Sequence, residues 1–135
     1  MSETKNVKVR LHDGMIKECA IALSGGPPWK LPFSGIELGT QEFSGEDLFE
    51  ALNALRGALE KIGGQLLCAG ARPDVFPSGM SRGMGGGRKA YITRIGAPAL
   101  RTDLVDIFDY AGPELVGTVA QQKAFHEKWA ESFRQ

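Results

Sequence analysis

Leu48, Leu52, Leu55, Leu59 and Ile62 recur at intervals of 4, 3, 4 and 3. Only a helix brings that spacing onto one face, so the stretch predicts an amphipathic helix of about four to five turns with an apolar stripe to bury. Ser44 reads as its N-cap and Asp47 as the acidic half of a capping box, with Glu46 adding negative charge at the positive end of the helix dipole. Gly63-Gly64 marks its end. A leucine stripe of this kind is core, and the helix is expected to lie across one face of a sheet.

The sheet is written around the helix. Val7, Val9 and Leu11 alternate with polar residues, Asp13-Gly14 suits a tight turn, and Met15 to Leu23 returns with Cys19, Ile21 and Leu23 on one face. That is a β-hairpin. Trp29 to Leu38 reads as a third strand anchored by Phe33, Ile36 and Leu38, with Pro32 and Gly35 assigning it to an edge or a bulge. Beyond the helix, Gln65–Ala71, Lys89–Ile95 and Leu104–Asp109 read as strands, with Asp106 and Asp109 at an exposed face or end. Thr118 and Gln121 repeat the capping-box pattern and open a last helix reaching Phe133, with Phe125, Trp129 and Phe133 as its buried face and His126 at the boundary. The order β-β-β-α-β-β-β-α, rich in hairpins and poor in crossover helices, favours an antiparallel sheet. The expectation is an α+β fold in a single domain over residues 1–135: a mainly antiparallel sheet packed by one long amphipathic helix, with a C-terminal helix.

At 135 residues the chain suffices for one well-filled core, and 42% apolar with 24% charged residues excludes a disordered chain. Sixteen basic residues balance sixteen acidic ones, which argues against a dedicated nucleic-acid-binding domain. No apolar run is long enough to span a membrane, and the first residues lack the pattern of a secretory signal. Cys19 and Cys68 each sit in an apolar run and are expected to be buried free thiols. With only His12 and His126 besides, no metal-ligand spacing is present and no cofactor is implied. These features together predict a reduced cytoplasmic location.

One segment departs from this plain patterning. Gly70 to Tyr91 holds six glycines (Gly70, Gly79, Gly83, Gly85, Gly86, Gly87), two prolines and the cations Arg72, Arg82, Arg88 and Lys89. An ordered glycine run implies left-handed backbone or a close approach by another group, and connections this long in compact domains are usually functional or disordered. Four chemistries fit the residue types. Backbone amides and Arg82, Arg88 and Lys89 could cradle an anion, although neither a P-loop nor a dinucleotide fingerprint is present. Ser78 or Ser81 as a nucleophile lacks the Gly-x-Ser-x-Gly pattern, and Asp74, Asp103, Asp106 and Asp109 have no spacing diagnostic of a carboxylate pair. Arg72, Asp74, Arg82, Arg88 and Asp106 could instead form an internal ion-pair network, with Phe76, Met80 and Met84 plugged into the core. Finally, Phe76, Met80, Met84, Arg82 and Arg88 are residue types of interface centres, with Trp29 a second candidate anchor. The candidate site residues are therefore Arg72, Asp74, Phe76, Ser78, Met80, Ser81, Arg82, Met84 and Arg88.

The stretch Leu67 to Tyr91, followed by Val105-Asp-Ile-Phe-Asp109, resembles a family of small bacterial α+β proteins, some of which look like immunity proteins of contact-dependent or polymorphic toxin systems. The resemblance covers about the C-terminal half. It implies a cytoplasmic protein that binds and neutralises one cognate toxin domain, with no catalytic residues and no cofactor. The balanced charge sets this chain apart from the acidic inhibitors that oppose nucleases. Two readings stand: a binding protein of that kind, or a small-molecule or phosphate-ligand domain, either a binder or an enzyme, using residues 78–89.

Overall fold

The computed structural model describes residues 3–35 and 38–132. Strands β1 (Glu3–Arg10), β2 (Ile16–Leu23), β3 (Trp29–Gly35) and β4 (Gly39–Gly45) run as an antiparallel meander, and β5 (Gln65–Leu66) adds to the free side of β1, giving the order β4-β3-β2-β1-β5. A second, three-stranded antiparallel sheet, β6-β7-β8, is built from Val75–Phe76, Lys89–Ile92 and Leu104–Asp106. Helix α1 (Leu48–Glu60) lies on the first sheet, α2 (Gly79–Gly85) links β6 to β7, and α3 (Val119–Glu131) closes the described chain. This is an α+β domain with the expected antiparallel sheet, long amphipathic helix and C-terminal helix.

The alternation in the hairpin decides which face is core. Register pairs Val7 with Cys19 and Val9 with Lys17, and the buried set Val7, Val9, Cys19, Ile21 and Leu23 faces α1 together with Leu31 and Phe33 of β3. Leu48, Leu52, Leu55 and Leu59 close that core from the helix side. Ile62 lies beyond the last helical turn and is only half-buried. Both cysteines are buried and free.

The connection between β1 and β2 spans residues 11–15, longer than a two-residue turn, with Gly14 left-handed at φ +87°. Larger departures from the expected elements have physical causes. Strand β4 is polar and offers only Phe43 to the core, so the apolar pattern conceals it; it is an edge strand held by its pairing with β3. Ser44 consequently belongs to β4, and the N-cap of α1 is Asp47, whose Oδ1 accepts from Glu50 N at 2.7 Å. Gln65–Ala71 is strand only at its start, and Ala69–Ala71 forms a 3₁₀ turn. The strand expected over Lys89–Ile95 stops at Ile92, and that over Leu104–Asp109 stops at Asp106. Asp106 is buried rather than exposed, because it accepts from Arg88 Nε and from Phe108 N.

The capping box at Thr118 and Gln121 is present as the sequence predicts. Phe125 and Trp129, however, are only half-buried, and the residue that α3 buries fully is Gln122. Ile36 and Phe133, expected as apolar anchors, lie outside the described residues.

Candidate functional site

The Gly70–Tyr91 segment is fastened to the core by a buried polar clamp. Arg56, on the polar side of α1's stripe, is 2% exposed, and Gln122 of α3 is 1% exposed. Arg56 Nη1 donates to Gln122 Oε1 (2.7 Å), Asn53 Oδ1 (2.9 Å) and Gly70 O (3.1 Å), while Nη2 donates to Gly117 O (3.2 Å) and Ala71 O (3.4 Å). Gln122 Nε2 in turn lies 2.9 Å from the carbonyls of Gly70, Arg72 and Val75. No carboxylate is among these acceptors, so desolvation pulls the guanidinium below the usual arginine value. The clamp holds α1, α3 and the entry of the segment together.

Downstream, each arginine of the segment has a carboxylate. Arg72 forms a bidentate pair with Asp74 at 2.8 and 2.7 Å, which raises its affinity for its proton. Arg82 Nε meets Asp47 Oδ2 at 2.6 Å, tying α2 to the N-cap of α1. Arg88 forks onto both oxygens of Glu3 at 2.7 and 3.0 Å and places Nε 2.9 Å from Asp106, and the Glu3 bonds dominate the rise in its pKa. Such charge-assisted pairs order the backbone without a ligand. Lys89 is the exposed cation of the group, 3.9 Å from Asp106.

The glycines of the segment solve a packing problem. Gly86 and Gly87 adopt φ of +66° and +74°, and a Cβ at Gly86 would lie 2.5 Å from the Trp29 ring. Gly86 O accepts the Leu48 amide at 2.6 Å, so the end of α2 caps the start of α1. Trp29 is thereby a half-buried packing partner of the segment and not a free anchor. Ser78 is the N-cap of α2, its Oγ accepting from Ser81 N at 3.0 Å, and the Ser81 hydroxyl donates to Lys89 O.

With its back fixed in this way, α2 shows its front to solvent. Met80 is 74% exposed and Met84 84%, one turn apart on a seven-residue helix, with Lys89, Tyr91 and exposed Leu104 beside them. The two methionines therefore do not plug into the core. Phe76 does pack inward, edge-on to Phe49 at 5.1 Å between centroids and stacked on His126 at 3.6 Å.

On the other side of α2 lies a pocket of about 750 Å³ between the second sheet and α3, lined by Phe76, Ser78, Arg82, Tyr91, His126 and Trp129 among others. His126 Nδ1 is buried without a hydrogen-bond partner among the described residues. Burial, aided by nearby Arg82 and opposed by Glu127, holds the imidazole pKa below its ordinary value.

The nine predicted site residues thus form one continuous feature, in three roles. Arg72, Asp74, Arg82 and Arg88 are ties, Ser78 and Ser81 hold α2 in place, and Phe76, Met80 and Met84 supply apolar surface. No hydrogen bond joins either serine to a histidine among the described residues, and none of their His, Cys, Asp and Glu side chains cluster as metal ligands. Nor does any described helix have the length and apolarity to cross a membrane. Sequence reasoning missed Arg56, Gln122, Asp47 as a partner for Arg82, and Glu3. Asp47 alone carried a signal, as a capping residue. Neither a protein-family model nor a curated protein matches this chain in sequence.

Proposed function

We propose that this chain is a cytoplasmic protein-binding domain whose docking surface is the outer face of α2, and that it acts as an immunity protein occluding a cognate toxin domain. The observation that carries the reading is the pair Met80 and Met84, exposed together on a helix pinned from behind by Arg82–Asp47 and by Gly86 against Trp29. Methionine is flexible and polarisable and adapts to a partner's contours, and interface centres are enriched in it. A pre-ordered backbone lowers the entropic cost of association. The rim is mixed in charge, with Lys89 exposed and the arginines neutralised by their carboxylates, which suits a partner surface without a strong field.

The phosphate-ligand alternative over residues 78–89 loses support because Arg88 is fully engaged by Glu3 and Asp106 and Arg72 is held bidentate by Asp74. The test is growth protection on co-expression with a candidate toxin domain, sought first among the products of genes neighbouring this one, together with titration calorimetry of the purified pair. Met80→Asp with Met84→Asp should abolish both protection and binding while leaving the melting temperature unchanged, since neither side chain is packed. Undiminished binding by the double variant rules out this surface.

A further inference from the structure

We propose that the 750 Å³ pocket between α2, the second sheet and α3 is a binding site for a small planar aromatic ligand carrying a carboxylate. Its volume falls within the range of small-molecule sites, which are typically apolar clefts with a few well-placed polar groups. Four rings wall it: Phe76, Tyr91, His126 and Trp129. Three of them, Phe76, His126 and Trp129, already form a stack. Phe76 and His126 lie 3.6 Å apart and within 10° of parallel, and His126 and Trp129 follow at 5.8 Å and 26°. A flat ring entering here adds to an existing group of stacked rings.

The polar groups define the other half of the ligand. Arg82 gives only its Nε–H to Asp47, leaving both Nη groups without an acceptor among the described residues. Ser78 Oγ accepts from Ser81 N but its hydroxyl proton goes to no acceptor among them, and the Tyr91 hydroxyl has no partner there either. Three residues with donor capacity and no acceptor for it among the described residues therefore line one cavity. No carboxylate lines it to compete for them. An acceptor with several lone pairs and a negative charge satisfies this set, and the planar fork of an arginine matches a carboxylate in shape. Ser78 and Tyr91 border both this pocket and the methionine surface, whereas Phe76, Arg82, His126 and Trp129 border the pocket and not that surface.

The experiment uses the full chain, labelled so that the two indole N–H resonances of Trp29 and Trp129 are followed by NMR. The probes are 2-naphthoate and, as the uncharged control, 2-naphthamide. Naphthoate should shift the Trp129 signal saturably with a Kd of about 1 mM or below, the level a fragment of its size reaches, and leave Trp29 in place. Naphthamide should bind roughly tenfold more weakly, the loss expected for removing a charged acceptor. Tyr91→Phe, which removes a hydroxyl with no hydrogen-bond partner among the described residues, should weaken naphthoate by about the same factor. Ala130→Phe should fill the pocket and eliminate the shift. An unmoved Trp129 signal up to the solubility limit of naphthoate overturns the site. Equal affinity for acid and amide, or an undisturbed titration in Tyr91→Phe, overturns the ligand class.

Discussion

Replacing Gln122 by Leu keeps the volume of the side chain and deletes its polar end, which tests whether the Arg56–Gln122 clamp holds the domain together. The substitution removes the 2.7 Å bond from Arg56 Nη1 to Gln122 Oε1, a bond to a charged group worth roughly 1.5–3 kcal/mol. It also removes the two amide protons shared among Gly70 O, Arg72 O and Val75 O, worth about 1–2 kcal/mol together. Gly70 O keeps a donor in Arg56 Nη1 and Arg72 O keeps one in Val75 N, so not every carbonyl is stranded. The added apolar surface returns about 1 kcal/mol. The net loss is roughly 1.5–4 kcal/mol, which for a chain of this size lowers the melting temperature by about 10 °C. Urea denaturation at constant m-value is the assay. Gln121→Ala, one residue away, is the internal comparison: it removes only the exposed capping bond to Thr118 N and should cost about 0.5–1 kcal/mol. If Gln122→Leu is no more harmful than Gln121→Ala, the clamp is not what fastens the segment to the core.

Other outcomes follow from burial and charge. Leu55→Ala should cost about 2–5 kcal/mol by denaturant unfolding, since its side chain is fully enclosed between sheet and helix. Thiol labelling of the native protein should leave both cysteines unmodified: burial raises the Cys19 pKa and pushes Cys68 up to about 11, so neither supplies an accessible thiolate at neutral pH. His126 titrates below its ordinary value of 6.5, so the unfolded chain takes up this proton first as the pH falls. Its contribution is therefore complete above pH 6.5 and is lost as the pH drops through the folded-state value, and a plot of melting temperature against pH should lose that component in His126→Phe.

The legible parts of this fold are those set by repeated local choices. The alternation of Val7, Val9, Cys19, Ile21 and Leu23, the stripe from Leu48 to Leu59, and the Thr118–Gln121 box each state a period or a cap that the structure keeps. Strand β4 was not legible because pairing with β3, not apolar patterning, makes it a strand. Helix α2 was hidden by composition: Gly79, Gly83 and Gly85 oppose helix formation, and the element exists through the contacts it makes. The Gly-rich segment was visible as the unusual place, and its arginine ties to Asp74 and Asp106 were among the readings. The clamp was not, since Arg56 and Gln122 are 66 positions apart and each looks like an ordinary polar residue on its own helix.

The ties explain why a run so rich in glycine is ordered at all. A seven-residue helix of this composition does not hold itself in water, because nucleation is unfavourable and each glycine adds about 1 kcal/mol against it. What offsets that is external: Ser78 capping Ser81, Arg82 reaching Asp47, and Gly86 fitting beneath Trp29 while its carbonyl takes the Leu48 amide. Each of these contacts lies on the inner side of α2. Asp47 serves two helices at once, accepting Glu50 N with one oxygen and Arg82 with the other, so α1 and α2 share a joint at their ends. The same glycines that weaken the helix let it seat this closely, since a Cβ at Gly86 or Gly87 would strike Trp29 or crowd Phe49. Arg72 and Arg88, cations that suggest a ligand in the sequence, are therefore structural ties in the fold, and Arg82 is a tie through its Nε. What the arrangement leaves for an outside molecule is the apolar front of α2 and the aromatic pocket behind it.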